Sequence, residues 1–223
     1  MRTLPARLRF GSRVRRLRTV SQTIGFDLDM TLVDTAEGIV ASIGHVLALH
    51  GAHADDADLR ATVGLPLDQV FPRWISGVPH EQLRTEFRLH NMEVAVPLTC
   101  ALPGAAEALK SVADHGLGIV VVTAKLVDHA WAVLAAAGLD AHVGTVVGDR
   151  FGAAKGVALR EHRASAYVGD HPGDVAAARA ADCTSVVVPT GVASADDLRS
   201  AGADVVLASL TEFPWWLRDR VGG

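Results

Sequence analysis

From residue 21 onward, short runs of β-branched and other apolar residues alternate with alanine-rich stretches whose polar and apolar positions follow a helical period. TIGFD (23–27), LGIVVVT (117–123), VGTVVG (143–148), SAYVG (165–169), TSVVVP (184–189) and ADVVLA (203–208) read as strands. Helices are predicted near 104–115, 126–137, 153–163, 173–181, 194–201 and 210–219. Strands that are apolar throughout are covered on both faces, and their alternation with helices predicts an α/β protein with a parallel sheet. Such sheets bind ligands beyond the carboxyl ends of their strands.

The interval from 36 to about 96 breaks this rhythm. It is helical in pattern throughout, with turn signals at GAHADD (51–56), GLP (64–66) and GVP (77–79). The predicted fold class is therefore α/β, a Rossmann-like parallel sheet with helices on both faces plus an inserted small helical cap domain. Residues 21–34 and 98–223 form the core, residues 35–97 the cap, and residues 1–20 a basic, flexible tail. Asp34 and Glu37 have the spacing of a capping box for the first cap helix. Trp215 and Trp216 are expected to pack the last helix onto the sheet.

Composition narrows the function. The 223 residues, 49% apolar and 21% charged, suit one large domain or one domain with an insertion. Seven arginines precede the first acidic residue, Asp27; removing them takes the formal charge from -4 to -11, so the body is acidic and nucleic acid is not an expected partner. The tail reads as an extension, with a basic anchor for an anionic partner or a targeting segment as alternatives, and it lacks the apolar core of a secretory signal. Cys100 and Cys183 form no CxxC pair, which suggests a reducing compartment. The longest apolar run, AWAVLAAAGL (130–139), is too short to span a bilayer. A cytoplasmic protein without a membrane partner is expected; the oligomeric state is not legible.

The polar positions that interrupt the strands carry the candidate chemistry. GFDLDMTLVDT (25–35) places Asp27 and Asp29 on the same side of the chain as the first strand ends, roughly 7 Å apart by the strand rise. Like charges this close need a cation, or a proton held on one of the pair, unless they are turn residues or caps. GDHPGD (169–174) supplies Asp170 and Asp174 after the fourth strand. Pro172 there reads as a first helical residue and Asp174 as a favourable charge in the first turn, but grouped carboxylates also suit a small hard cation such as Mg²⁺. VVVTAK (120–125) ends a strand on the Thr123 hydroxyl, with the amides around Ala124 beside it. Lys155 opens a helix and is one of only three lysines, with Lys110 and Lys125, against eighteen arginines, so it is read as balancing a carboxylate or holding a phosphate oxygen. His171, between the acidic pair, is a further candidate for contact with substrate; the cap histidines show no metal-ligand pattern. No GxGxxG follows a strand and GDRFGAAKG lacks P-loop spacing, which leaves nicotinamide and ATP binding unsupported.

Asp27-Leu28-Asp29-Met30-Thr31, Thr123 after an apolar strand, Lys155, and Asp170 with Asp174 resemble, in order and approximate spacing, the four motifs of the haloacid dehalogenase superfamily over residues 21 to about 210. VGLPL (63–67) and LPGAAEAL (102–109) are similar to its phosphoglycolate phosphatase subgroup. The resemblance implies a Mg²⁺-dependent phosphatase acting on a small phosphorylated metabolite. Asp27 would be the nucleophile that forms an aspartyl-phosphate, and Asp29 the general acid and then base. Thr123, Ala124 and Lys155 would hold the phosphoryl group. Asp27, the Asp29 carbonyl, Asp170 and Asp174 would hold the metal. Superfamily dehalogenases lack an aspartate at position 29, because halide leaves without an acid. A phosphomutase such as β-phosphoglucomutase shares Asp29, but GLPLDQ (64–69) lacks the basic residue expected after the loop glycine there. A metal- or phosphate-binding module without turnover is the non-enzymatic alternative, separated by hydrolysis of a generic aryl phosphate. Phosphoglycolate, sugar phosphates and nucleoside monophosphates all fit these residues. Met30 stands where the family has glycine, implying either ordinary backbone geometry or a side chain at the cap entrance.

Overall fold

The computed structural model describes residues 22–221, so the expectation for residues 1–20 lies outside it. Strands β1 (Thr23–Phe26), β4 (Gly118–Val122), β5 (Thr145–Val147), β6 (Ala164–Gly169), β7 (Thr184–Val187) and β8 (Val205–Val206) form one parallel sheet in the order β5-β4-β1-β6-β7-β8. Side chains alternate along each strand, and both faces are dry. On β4, Ile119 and Val121 join Ile24, Phe26, Val168 and Phe213 in one core, while Val120 and Val122 join Leu159, Tyr167 and Ala177 on the other face. The predicted core helices are present as α5 (Ala105–Asp114), α6 (Val127–Ala136), α7 (Lys155–Glu161), α8 (Pro172–Ala181), α9 (Ala195–Ser200) and α10 (Phe213–Val221). β1 pairs with β4 on one side and β6 on the other, so Asp27 and Asp170 follow adjacent strands at the point where the winding changes direction.

The helical block between the first and second sheet strands consists of α1 (Ala36–Leu49), α2 (Asp56–Arg60), α3 (Leu67–Val70) and α4 (His80–Leu98). It has its own apolar centre of Val40, Ile43, Val46, Leu47, Phe71 and Leu83, separate from the sheet cores. The chain enters and leaves this cap through two strands that the sequence pattern did not reveal, β2 (Val33–Asp34) and β3 (Cys100–Ala101). They pair antiparallel, Val33 with Ala101 and Asp34 with Cys100. Strands of two residues are too short for a two-residue period to register.

Two local expectations are corrected. The Asp34–Glu37 capping box does not form: Asp34 accepts from the Ala36 N–H, Thr35 is the N-cap residue, and Glu37 is drawn instead to Arg60, 2.7 Å away on α2. Trp216 does lie against the core, but Trp215 is 63% exposed, its ring under the Arg218 guanidinium at 4.5 Å. Phe213 and Leu217 supply the buried face of α10, and at helical spacing Trp215 falls outside it.

Candidate active site

The Asp27 N–H donates to the Val168 carbonyl at 2.8 Å, extending the β1–β6 ladder one residue beyond the strand. Leu28 turns into the core, fully buried, so Asp27 and Asp29 both face the cavity between core and cap. Met30 then reverses the chain at φ 56°, in the left-handed region that favours glycine, and its side chain lines that cavity and packs on the cap's apolar centre. Methionine is therefore accommodated at the cap entrance without ordinary backbone geometry. Its carbonyl accepts from Thr190 Oγ1.

Carboxylate oxygens of Asp27, Asp170 and Asp174 lie within 4.8 Å of one another, and all three residues are buried. Lys155 Nζ, 3% exposed at the start of α7, sits 2.8 Å from both Asp27 Oδ2 and Asp174 Oδ1. Asp170 Oδ1 accepts from Thr31 Oγ1 at 2.9 Å, and Asp174 Oδ2 accepts from the His171 N–H at 3.1 Å. Close approach here depends on missing side chains: a Cβ at Gly191 would come within 2.0 Å of Asp170 Oδ2, and one at Gly169 within 2.4 Å of the Asp174 carboxyl.

The electrostatics follow from that crowding. Burial raises the Asp27 pKa to about 7; Lys155 opposes the shift and Asp174 adds to it. Burial, then the neighbouring charges of Asp174 and Asp27, also push Asp170 well up. Burial works against the Lys155 ammonium, but Asp174 and Asp27 outweigh it and hold its pKa above the ordinary range. Three carboxylates face one ammonium in a dry site, and every acidic ligand atom is a hard oxygen. That donor set fits a small divalent cation such as Mg²⁺.

Asp29 stands apart from this triplet. Its Oδ1 accepts from Thr35 Oγ1 at 2.6 Å and lies 3.0 Å from Lys125 Nζ, which is itself 3.5 Å from Asn91 Oδ1 on the cap helix α4. Thr123 is fully buried behind the wall formed by Ala124 and Lys125, and its hydroxyl oxygen accepts from the Lys125 N–H at 3.2 Å. His171 lines the cavity, but its Nδ1 accepts from the Gly173 N–H and caps α8. Sequence reasoning gave Lys125 no role; its only signal was the scarcity of lysine.

His129 on α6 left no sequence signal. It lines the cavity at 4% exposure, and its Nε2 is the one buried side-chain nitrogen or oxygen without a partner among the described residues. Burial first, then the nearby Lys125 charge, lowers its pKa from 6.5 to about 4, with Asp29 opposing. The folded state thus resists a proton that the unfolded chain accepts below about 6.5, so this contribution to stability is complete above that pH and is lost as pH falls toward 4. Denaturant unfolding of His129→Leu should show a shallower acid loss than the parent, the parent losing about 2 kcal/mol more than the variant between pH 7 and 4.5. Parallel pH profiles would contradict this reading.

Among the described residues no helix is long and apolar enough to cross a membrane. The family model described as haloacid dehalogenase-like hydrolase matches residues 24–188. The chain is 31% identical over 213 residues to the probable phosphatase IndB of Dickeya dadantii, covering 84% of this chain and 89% of that one. It is 29% identical over 212 residues to a phosphoglycolate phosphatase of Caulobacter vibrioides, covering 86% and 89%. A solved haloacid dehalogenase-like hydrolase from Streptococcus pneumoniae shares the fold at TM-score 0.79 and 20% identity, over 89% of this chain and 99% of that one.

Proposed function

This chain belongs to the haloacid dehalogenase-like hydrolases and is a phosphoric monoester hydrolase; from that premise we propose that it hydrolyses a small phosphomonoester, phosphoglycolate-like or a sugar phosphate, through an aspartyl-phosphate on Asp27, with Mg²⁺ bound. The observation that carries the reading is the juxtaposition of the Asp27, Asp170 and Asp174 carboxylates with Lys155, beside an independently held Asp29.

In this reading an Asp27 oxygen attacks phosphorus as the ester P–O bond breaks, and Asp29 gives its proton to the departing alkoxide. Water then attacks the acyl-phosphate, Asp29 takes the water's proton, and orthophosphate leaves with Asp27 restored. Lys155 neutralises the nucleophile's surroundings and meets charge on the phosphoryl oxygens, while the amides near Ala124, braced by Thr123, hold that group in place. Asp27, Asp170 and Asp174, with the Asp29 carbonyl, would hold Mg²⁺, which when bound withdraws charge from the phosphoryl oxygens. The Thr35 and Lys125 contacts fix one oxygen of Asp29 and leave the other for the proton.

The direct test is phosphate release from p-nitrophenyl phosphate by the full chain. Turnover should require Mg²⁺, vanish in excess EDTA and be restored poorly by Ca²⁺, which favours a larger and more flexible oxygen shell. Undiminished turnover in EDTA would remove the metal from the proposal, and absence of turnover with Mg²⁺ would remove the hydrolase.

A further inference from the structure

The cavity has two unlike ends. Around the Asp27 cluster it is charged, whereas the cap side sets an apolar surface of Ile39, Ile43, Leu65, Leu67 and Phe87 beside the ion-paired Arg84 and Arg88, with Met30 reaching up from the core. Facing them from core loops are Leu126 and Phe151, which are 39% and 37% exposed, belong to none of the apolar cores and line the same cavity. Apart from the Phe151 ring tilted against His171 at 6.0 Å, these large apolar side chains join no core and border a concave site, as contact surface for a ligand does.

The cations of the cavity point the same way. Arg84 lies 3.2 Å from Asp68 and 2.5 Å from Glu81, Arg88 2.7 Å from Asp149, Lys125 3.0 Å from Asp29, and Lys155 is shared between two aspartates. Among the described residues that line the cavity only Arg150 lacks a carboxylate partner; it is exposed and donates to the Asp149 carbonyl. A second anionic group on the substrate would have to draw Arg84 or Arg88 away from exposed carboxylates at the rim, or break the Lys125 or Lys155 pair and leave a largely buried carboxylate uncompensated. The cavity, of 290 Å³, extends from the carboxylate cluster past this wall, so a two-carbon acid bound at the charged end would leave part of the apolar wall wet.

Resting on the phosphomonoesterase reading but departing from its phosphoglycolate-like or sugar-phosphate substrate, we propose that the leaving group this cavity accepts carries a planar aromatic base, as a nucleoside 5′-monophosphate does, and that Leu126 and Phe151 with the facing cap side chains select its π face. The ring displaces water from the apolar wall, while the phosphate alone meets the charged end.

The test compares kcat/KM of the full chain with Mg²⁺ for a purine and a pyrimidine nucleoside 5′-monophosphate, ribose 5-phosphate, phosphoglycolate and p-nitrophenyl phosphate. The nucleotides and ribose 5-phosphate expel similar primary alkoxides, so their ratio reads the base rather than the chemistry. At least one nucleotide should exceed both ribose 5-phosphate and phosphoglycolate by tenfold or more. In Leu126→Ser/Phe151→Ser, both changes at exposed positions, that ratio should fall toward unity. A parent ratio near one, or a preference for phosphoglycolate, overturns the proposal and leaves the phosphatase standing. A high ratio untouched by the double variant overturns the assignment of the wall. Failure to hydrolyse any of the five, the activated aryl ester included, defeats the hydrolase reading itself.

Discussion

Asp27→Asn is expected to abolish turnover of every phosphomonoester, by roughly 10⁴-fold or more, because the amide keeps the shape of the side chain and removes the nucleophile. The loss should not come from unfolding. Asp27 is buried with its pKa raised to about 7, so its charged form is disfavoured in the folded state. A group with a raised folded pKa costs stability as pH rises through that value, and the neutral amide escapes this cost. Metal-free Asp27→Asn should therefore be at least as stable as the parent at pH 8. Asp29→Asn removes the proton donor and spares the nucleophile. Its effect should depend on the leaving group: p-nitrophenolate departs with little help, whereas an alkoxide needs the acid, a difference of about 10²–10⁴-fold. Single-turnover phosphoenzyme formation separates the two roles, since in the steady state the slow second step would limit both esters. Asp29→Asn should label quickly with the aryl ester and then stall. Covalent phosphate at position 27 of the Asp27→Asn variant, or equal slowing of both esters by Asp29→Asn in the first step, would reverse the assignments.

Lys155→Met should damage folding as well as catalysis. The ammonium is 2.8 Å from two buried carboxylates and near a third, and removing one partner of a buried ionic group leaves uncompensated charge, at a cost of about 3–5 kcal/mol. The sign of the pH dependence follows from the carboxylates. Without Lys155 the already raised folded pKa values of Asp27 and Asp170 rise further, so the variant retains stability in acid, where they are protonated, and loses it as pH rises. Urea unfolding without divalent ions should show a deficit that is large at pH 8 and small at pH 5, and Mg²⁺ should recover part of it at pH 8 by replacing the missing positive charge. Turnover should remain at least 10²-fold down even with saturating Mg²⁺, because a metal cannot take the ammonium's place against the phosphoryl oxygens. A variant as stable as the parent at pH 8, or active after Mg²⁺ addition, would show that Lys155 is not the electrostatic centre of the site.

β4 and β7 were legible because a parallel sheet covered on both faces favours uninterrupted apolar, β-branched runs such as GIVVV and TSVV; β1 and β6 are shorter or mixed apolar runs recognised by their alternation with helical stretches. Asp27 and Asp170 were legible because each directly follows an apolar strand, where a turn residue would ordinarily be solvated, and the fold brings them together with Asp174, from the first turn of α8, and Lys155. What escaped depends on partners distant in sequence. Lys125 meets Asp29 only because α6 is preceded by a loop that crosses the end of β1, and His129 is silenced by burial that no local pattern encodes. Glu37 chose Arg60 over the helix end beside it, a choice made by the packing of α1 and α2. The left-handed turn at Met30 was missed for a different reason: methionine there contradicts local propensity, and the cap's apolar centre supplies the compensating contact.

The β2–β3 ribbon makes neighbours of the residues that leave and re-enter the core, since Asp34 faces Cys100 directly. To the core, the whole intervening segment is a single long loop whose ends are already pinned. Closure entropy grows only with the logarithm of loop length, so doubling the insertion would cost the core about 0.6 kcal/mol. A segment on such terms can be lengthened, shortened or exchanged while the aspartates beneath it keep their places, which separates inheritance of the chemistry from inheritance of the selectivity.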